Sequence, residues 1–399
     1  MRIGMLADAY KPHISGVTNH ISLNKKFMQA AGHEVYIFTF GDLDYNEDEE
    51  NVIRSTGLPI VDTGFYINLA YSKKARDILK TMDVIHVHHP FVSGTLAQRY
   101  GRTYGIPVIF TNHTRYDLYY QAYLPMFPEE LGENILHTYM PRFCERCDMV
   151  IAPSPGMREV LKGFGVETPV EVVPNGVDIR PFQDCIRGAD RAEFGFNEDD
   201  VVLIFVGRIA PEKNLKFLLQ AFAGVQEAYQ NVRLLLVGGG PELEKLKEWV
   251  KKSRLEEYVC FTGIVSYAEI PEYVCMANAF VTASVTEVHP LTVIEAMSAG
   301  LPVLGIISPG VGDTVQDGMN GFLTHNDMAA FAAKLSRLVS EGELRSKLAQ
   351  GAFQTAQDYA IEHTSQILLE KYQEVWEENK KQRKGLRANI EQFLDIIKK

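Results

Sequence analysis

The sequence predicts an α/β protein of two doubly wound units in series, on three observations. Short β-branched runs alternate with helix-period stretches along the chain, the rhythm breaks once near residue 175 and restarts, and the runs are apolar throughout, as in parallel strands covered on both faces. In the first half the runs are RIGML, EVYIFTF, DVIHVHH, PVIFTNH and MVIAPS, with helical spacing at 17–31 and 94–104. The second half opens on VVLIFVGRI (201–209) and continues through VRLLLVGGG, YVCFTGIV, AFVTASV and LPVLGII. The Pro-Asn-Gly turn in VVPNGVD (172–178) sets the boundary, with residues 1–177 in one unit and 178–369 in the other. The stretch from about 363 reads as helix and is too long for the second unit, so residues 370–399 are expected to cross back onto the first.

With 399 residues the chain has enough length for two cores. Its 46% hydrophobic and 23% charged residues are ordinary for a soluble enzyme. A formal net charge of -11 argues against a nucleic-acid partner, which needs a basic field to gather phosphates. Five cysteines make no disulfide framework, and the CxxC of Cys144 and Cys147 lacks the second pair a zinc site needs. It reads as structural thiols on a helix, against a redox or metal role. MRIGMLAD reads as a strand and not a leader peptide, and no apolar run approaches the roughly 18 residues that span a bilayer. The expectation is therefore a cytoplasmic protein whose membrane contact, if any, is peripheral. GDLDYNEDEE (41–50) carries six acids and reads as a solvated loop, in spite of its Asp-Leu-Asp.

In doubly wound sheets ligands bind beyond the carboxyl ends of the strands, so chemistry is sought in those loops. VGRIAPEKN places Arg208 and Lys213 after the first strand of the second unit, where a guanidinium fork and a point charge suit a diphosphate. The same pair reads equally well as an exposed salt-bridging loop. Gly238 and Gly239 in VGGGPELEKL allow close backbone approach to a ligand, or a plain tight turn. TEVHPLTVIEA (286–296) puts Glu287 at a strand exit and Glu295 one turn into the next helix, whose first amides, at Leu291 and Thr292, suit an anion. Taken alone, the two glutamates read as a helix-capping acid and a surface acid.

Together, GR-x4-K, VGGGP, the two glutamates eight apart, PNGVD and the trailing GVGD and DGMNGFL resemble the retaining glycosyltransferases of family four over essentially the whole chain. The resemblance implies the GT-B fold, two facing Rossmann-like domains with a C-terminal helix crossing back to the first. It implies no cofactor and no metal, with a nucleotide-diphosphate sugar, a UDP-hexose, as donor. Arg208 and Lys213 would then hold the diphosphate, Glu287 the sugar hydroxyls, Glu295 the ribose, and amides near Leu291 and Thr292 the phosphate oxygens. Gly16, Gly238, Gly239 and Ile264 would line the donor, and His113, ending PVIFTNH, would contact the transferred sugar. His13, His86, His88 and His89 stand at strand ends as secondary candidates. Two departures are evident: Gly16 stands alone where the family has two glycines, and Val288-His289-Pro290 replaces the family's Gly-Phe-Gly. Pro290 has no N–H to offer a sugar, and His289 adds a titratable donor.

On the acceptor side, Tyr116, Tyr120, Tyr123 and Phe127 fall at helical spacing, as a core stripe or as a groove for acyl chains, and Tyr10 lies in the first strand-end loop. NHTRYDLYYQAYLPMF and RFCERCDMVIAPS resemble the diacylglycerol α-glucosyltransferases of the family, which implies a membrane-lipid acceptor at the inner face of the cell membrane. Two basic amphipathic stretches, 67–82 and 380–399, suit an anionic lipid surface or solvent alike. The alternatives are the same transfer to a soluble sugar, sugar phosphate or inositol derivative, and a non-catalytic nucleotide-sugar-binding subunit.

Overall fold

The computed structural model describes residues 1–13, 15–45, 49–59, 66–118, 129–184 and 190–397. The strands in chain order are β1 (Arg2–Leu6), β2 (Glu34–Phe40), β3 (Val52–Ser55), the two-residue β4 (Leu58–Pro59) and β5 (Tyr66–Ile67), β6 (Val84–Val87), β7 (Val108–Thr111), β8 (Met149–Ala152) and β9 (Val170–Val172). They continue with β10 (Val201–Val206), β11 (Val232–Val237), β12 (Val259–Gly263), β13 (Ala279–Thr282), β14 (Val303–Ile306) and β15 (Gly321–Thr324). Two parallel sheets result, of order β3-β2-β1-β6-β7-β8-β9 and β12-β11-β10-β13-β14-β15. The chain reverses its direction of travel at β1/β6 in one sheet and at β10/β13 in the other. A crevice opens at such a point, because the helices on either side leave in opposite directions.

Every apolar run of the sequence forms a strand. β3, β9 and β15 are short and lie at or near sheet edges, where a weak apolar signal suffices, and the sequence pattern does not announce them. Fully buried Val201–Val206 lies between β11 and β13, with Leu203 opposite Ala279 and Ile204 opposite Phe280. That register carries the exits of β10 and β13 out side by side.

The helix Ile361–Ile397 returns to the first domain. Its Leu368, Leu369, Tyr372 and Val375 pack with Ile3, Met5, Val84, Ile109 and Ile151, covering one face of the seven-stranded sheet. The Tyr372 hydroxyl meets His86 Nδ1 at 2.6 Å, His86 Nε2 meets Thr111 Oγ1 at 2.7 Å, and Ser365 donates to Asn24 at 2.9 Å. The start of the helix is seated on the PNGVD turn, where Val177 N donates to Tyr359 O at 3.0 Å and Ile361 N to Val177 O at 2.9 Å. A side chain at Gly176 would collide with Thr364 Oγ1 and stand 2.8 Å from the Ile361 Cα.

One expectation about a surface is corrected. Glu49, in the acidic loop, is not solvated: it pairs with Lys11, with Lys25 at 3.2 Å, and accepts the Tyr10 hydroxyl at 2.9 Å. Burial opposes its charge, yet Lys11, Tyr10 and Lys25 together hold its carboxyl below the usual range. Within the basic stretch 67–82, the helix Lys73–Leu79 buries Ala75 and Leu79 in the first-domain core, while Leu69 ahead of it is exposed. In Gly176→Ala the helix must lift off the turn or the turn must distort, and denaturant unfolding should show a loss of roughly 1–3 kcal/mol.

Candidate active site

At the exit of β10 the chain turns through Gly207, at φ 156°, and the exposed Arg208 into a 3₁₀ turn, Pro211–Lys213. Asn214, at φ 51°, then starts the helix Leu215–Ala228. This turn aims Lys213 at the neighbouring exit, where its Nζ lies 2.5 Å from Glu287 Oε1. Burial works against the Glu287 charge, but Lys213 and a hydrogen bond from Ser284 hold its carboxyl below the ordinary value. Ser284 also donates to the main-chain oxygen of Glu212 at 3.3 Å, tying the two loops together.

Gly238 and Gly240 owe their identity to packing between loops. Both have positive φ, and a side chain on either would collide with a carbonyl oxygen, that of Gly207 for the first and of Ile209 for the second. Ile209 N donates to Gly239 O at 2.8 Å and Glu242 N to Ile209 O at 3.1 Å. A Cβ on Gly239 would stand 2.6 Å from Ile264 Cγ1, and Ile264 itself is 81% exposed beside the loop. The exits of β10, β11, β12 and β13 are thus linked by contact, Lys213 to Glu287, Gly238 to Gly207 and Gly239 to Ile264.

The helix Leu291–Ser298 starts at Pro290 with no side-chain cap; Val293 N donates to Pro290 O at 3.2 Å, which leaves the Leu291 and Thr292 amides without intrahelical acceptors. Glu295, one turn in, is 2% exposed and accepts the Tyr267 hydroxyl at 2.8 Å. Burial pushes its carboxyl up to about 7, with the phenol pulling the other way.

His289 differs from expectation. It is buried, its ring lies edge-on to Tyr359 at 5.2 Å, and its Nδ1 has no partner among the described residues. Burial, assisted by His20, lowers it to about 3, so it does not titrate near neutrality. Val288 packs into the first-domain core, Asn175 Nδ2 approaches His289 O at 3.5 Å, and Gly310 N donates to Glu287 O at 2.9 Å. The departure Val288-His289-Pro290 is thus built into the seam between the domains.

On the first domain, Gly16 opens the helix Gly16–Ala30 behind a Ser15–Thr18 capping box, and a Cβ there would meet nothing within 4 Å. His113 follows β7, with its Nε2 3.0 Å from His88 Nδ1 and its ring 4.8 Å from that of His20. Burial keeps all three rings neutral at pH 7, His20 down to about 4. Burial, and then the charge of Arg208 after β10, lower His13 after β1. Tyr10 is 2% exposed with its hydroxyl on Glu49, a core position and not a surface for an acceptor. The Tyr116 ring lies edge-on to Phe91 at 5.1 Å, while Tyr120, Tyr123 and Phe127 fall outside the described residues. Cys144 and Cys147 are free, buried thiols that burial pushes up, Cys147 to about 12.

Sequence reasoning missed several partners. Tyr267 on Glu295 and Ser284 beside Glu287 carry no local signal. The GVGD stretch had one: Asp313 Oδ2 accepts the amide of Gly156, in the first domain, at 2.6 Å. No spacing announced that His20, His88 and His113 meet, their donor atoms within 4.8 Å of one another.

Residues 14–180 match the family described as Glycosyltransferase Family 4, and residues 186–355 the one described as Glycosyl transferases group 1. Two proteins named alpha-monoglucosyldiacylglycerol synthase are similar along most of their length. That of Streptococcus pneumoniae (strain ATCC BAA-255 / R6) is 32% identical over 86% of this chain and 80% of its own; that of Acholeplasma laidlawii is 28% identical over 91% and 94%. A D-inositol 3-phosphate glycosyltransferase of Nocardioides sp. is 29% identical over 73% and 67%. The crystal structure of Anabaena HepE with UDP and glucose superposes with a TM-score of 0.76 over 94% of this chain and all of that one, a likeness of fold at 21% identity. The chain therefore belongs to the family 4, group 1 glycosyltransferases, and its two facing α/β domains with the returning helix are their GT-B fold.

Proposed function

We propose that the protein is a retaining hexosyltransferase that moves a hexose from a UDP-type donor to a membrane lipid of the diacylglycerol kind, without a metal ion. The observation that carries this reading is the Lys213–Glu287 pair at adjoining strand exits, with Arg208 exposed on the same loop as Lys213. As the bond from anomeric carbon to phosphate stretches, negative charge builds on the diphosphate. Arg208, Lys213 and the first amides of Leu291–Ser298 are placed to meet it, and groups set in advance need not reorganise. Glu287 then accepts hydrogen bonds from sugar hydroxyls, and Glu295 from the ribose in place of Tyr267. His113, neutral, bonds the sugar next to the reacting carbon. The acceptor attacks on the face the diphosphate leaves, through an oxocarbenium-like state, and its proton passes to the departing phosphate.

The names of two relatives favour a lipid acceptor. Residues 380–385, with Lys380, Lys381, Arg383 and Lys384, are exposed on the returning helix, and Leu43, Leu58 and Leu69 are exposed on the first domain. No helix among the described residues is long and apolar enough to cross a membrane, so this reading has the protein attach peripherally, at the inner face. The second reading, transfer to a soluble inositol or sugar phosphate, draws on the inositol-linked relative and uses the same donor site.

Lys213→Ala removes a cation from the donor and strands the Glu287 charge, so the donor KM should rise at least tenfold; His113→Ala should lower kcat roughly 10²-fold with donor affinity nearly unchanged. Wild-type kinetics in both variants would sink the assignment. Glu295 gives a pH test. Its folded pKa is raised, so its contribution to stability is full below the ordinary carboxylate value and is lost as pH rises through about 7. Ribose hydroxyls donate more strongly to the ionised form than to the neutral acid; donor affinity should therefore strengthen from pH 6 to 8 in the wild type and stay flat in Glu295→Gln, by calorimetry. For the acceptor, flotation with anionic vesicles should be salt-sensitive and should weaken when residues 381–399 are removed; no flotation, with turnover of a soluble acceptor, selects the second reading.

A further inference from the structure

Of all the side-chain clusters outside the ion-pair site, one has the makings of a coordination sphere. We propose that His20, His88 and His113 form a binding site for one divalent cation of the zinc class, with a coordination position left open. One donor nitrogen from each ring lies within 4.8 Å of those of the other two. The rings come from three independent elements: His20 from the helix Gly16–Ala30, His88 from the residue after β6, and His113 from the loop after β7. His88 Nδ1 and His113 Nε2 are 3.0 Å apart. Two nitrogens each 2.0–2.1 Å from one zinc stand roughly 3.3 Å apart in a tetrahedral site, so this pair is already at coordination spacing.

His20 must close the set, and its ring is held lightly. The Asn24 amide reaches both of its nitrogens only at 3.4 Å, and its centroid is 4.8 Å from that of His113 and 5.6 Å from that of His88. A side-chain rotation draws its nitrogen in by the remaining distance.

The unpaired atom of His88 fits ligation through the other one. His88 is wholly buried, and its Nε2 has no hydrogen-bond partner among the described residues. With Nδ1 on the cation, Nε2 carries the ring proton and points away from the ion, where a water would satisfy it. The donor set decides the class of ion: three imidazoles, with no carboxylate in the group, suit zinc, cobalt, nickel or copper, and not magnesium or calcium. The nearby acid Asp8 directs Oδ1 to the Ser93 amide at 2.6 Å. Three protein ligands leave a fourth position for water or a substrate oxygen. On the functional reading above, a cation on His113 withdraws that ring from the sugar, so zinc inhibits transfer and a chelator restores it.

The test titrates the chelator-treated full-length chain with cobalt(II) and then zinc(II). Expected are one cobalt per chain with the visible absorption of a four-coordinate ion, its displacement by zinc, and a zinc-dependent rise in Tm. His20→Ala and His88→Gln should each weaken binding at least tenfold, and His325→Ala, at an exposed position, should leave it unchanged. Absence of saturable binding at submillimolar metal, or wild-type binding in both variants, overturns the site; if His88→Gln does not fold, His20→Ala decides alone. Tight binding with undiminished transfer supports the site and counts against the role given to His113.

Discussion

Folding takes most of the water from Glu287 and nearly all of it from Glu295, and the difference between their partners organises the cleft. Glu287 has a cation 2.5 Å away, and attraction outweighs desolvation, so its carboxyl drops below the ordinary range. Glu295 has only a phenol, and desolvation wins, taking it to about 7. A buried charge persists where a counter-ion is held in place, and the hold here is backbone register. β10 and β13 are neighbours in the sheet, and the turn Pro211–Lys213 directs one exit at the other. At neutral pH the site therefore contains one firm ion pair and one carboxyl at the edge of ionisation.

The same strand exit is also a structural joint. Val288 enters the first-domain core, His289 lies against Tyr359, and a side chain at Gly310 would press on the Val288 carbonyl. Asp313 binds the Gly156 amide one turn further on. A Gly-Phe-Gly segment has no side chain to make the first of these contacts. The Val-His-Pro variant thus tightens the seam, and on the proposed function it shifts the question of sugar choice from His289 to Glu287 and the residues around it.

On the first domain, the face under the returning helix contains a polar line through an apolar core, Tyr372 to His86 to Thr111. Each atom on it is paired, so the helix has one seating in which no buried polar group is stranded. Glu49 does similar service at the rim, gathering Lys11, Lys25 and Tyr10 beside the first helix.

The sequence by itself determined the strands of both sheets other than β3, β9 and β15, and the loops that follow them, because apolar runs and strand-end glycines are local patterns that local sterics enforce. Lys213 and Glu287 were each visible in it; their pairing was not. Tyr10 looked like a loop residue and proved to be core, and His20 sat unremarked within a helical stretch. Tertiary structure alone decided those matters. Strand order in a parallel sheet is set by crossovers of many residues, and it is that order which makes neighbours of positions 20, 88 and 113, and of 213 and 287. Burial, which the fold imposes from outside each residue, then decided which of these groups keeps its charge.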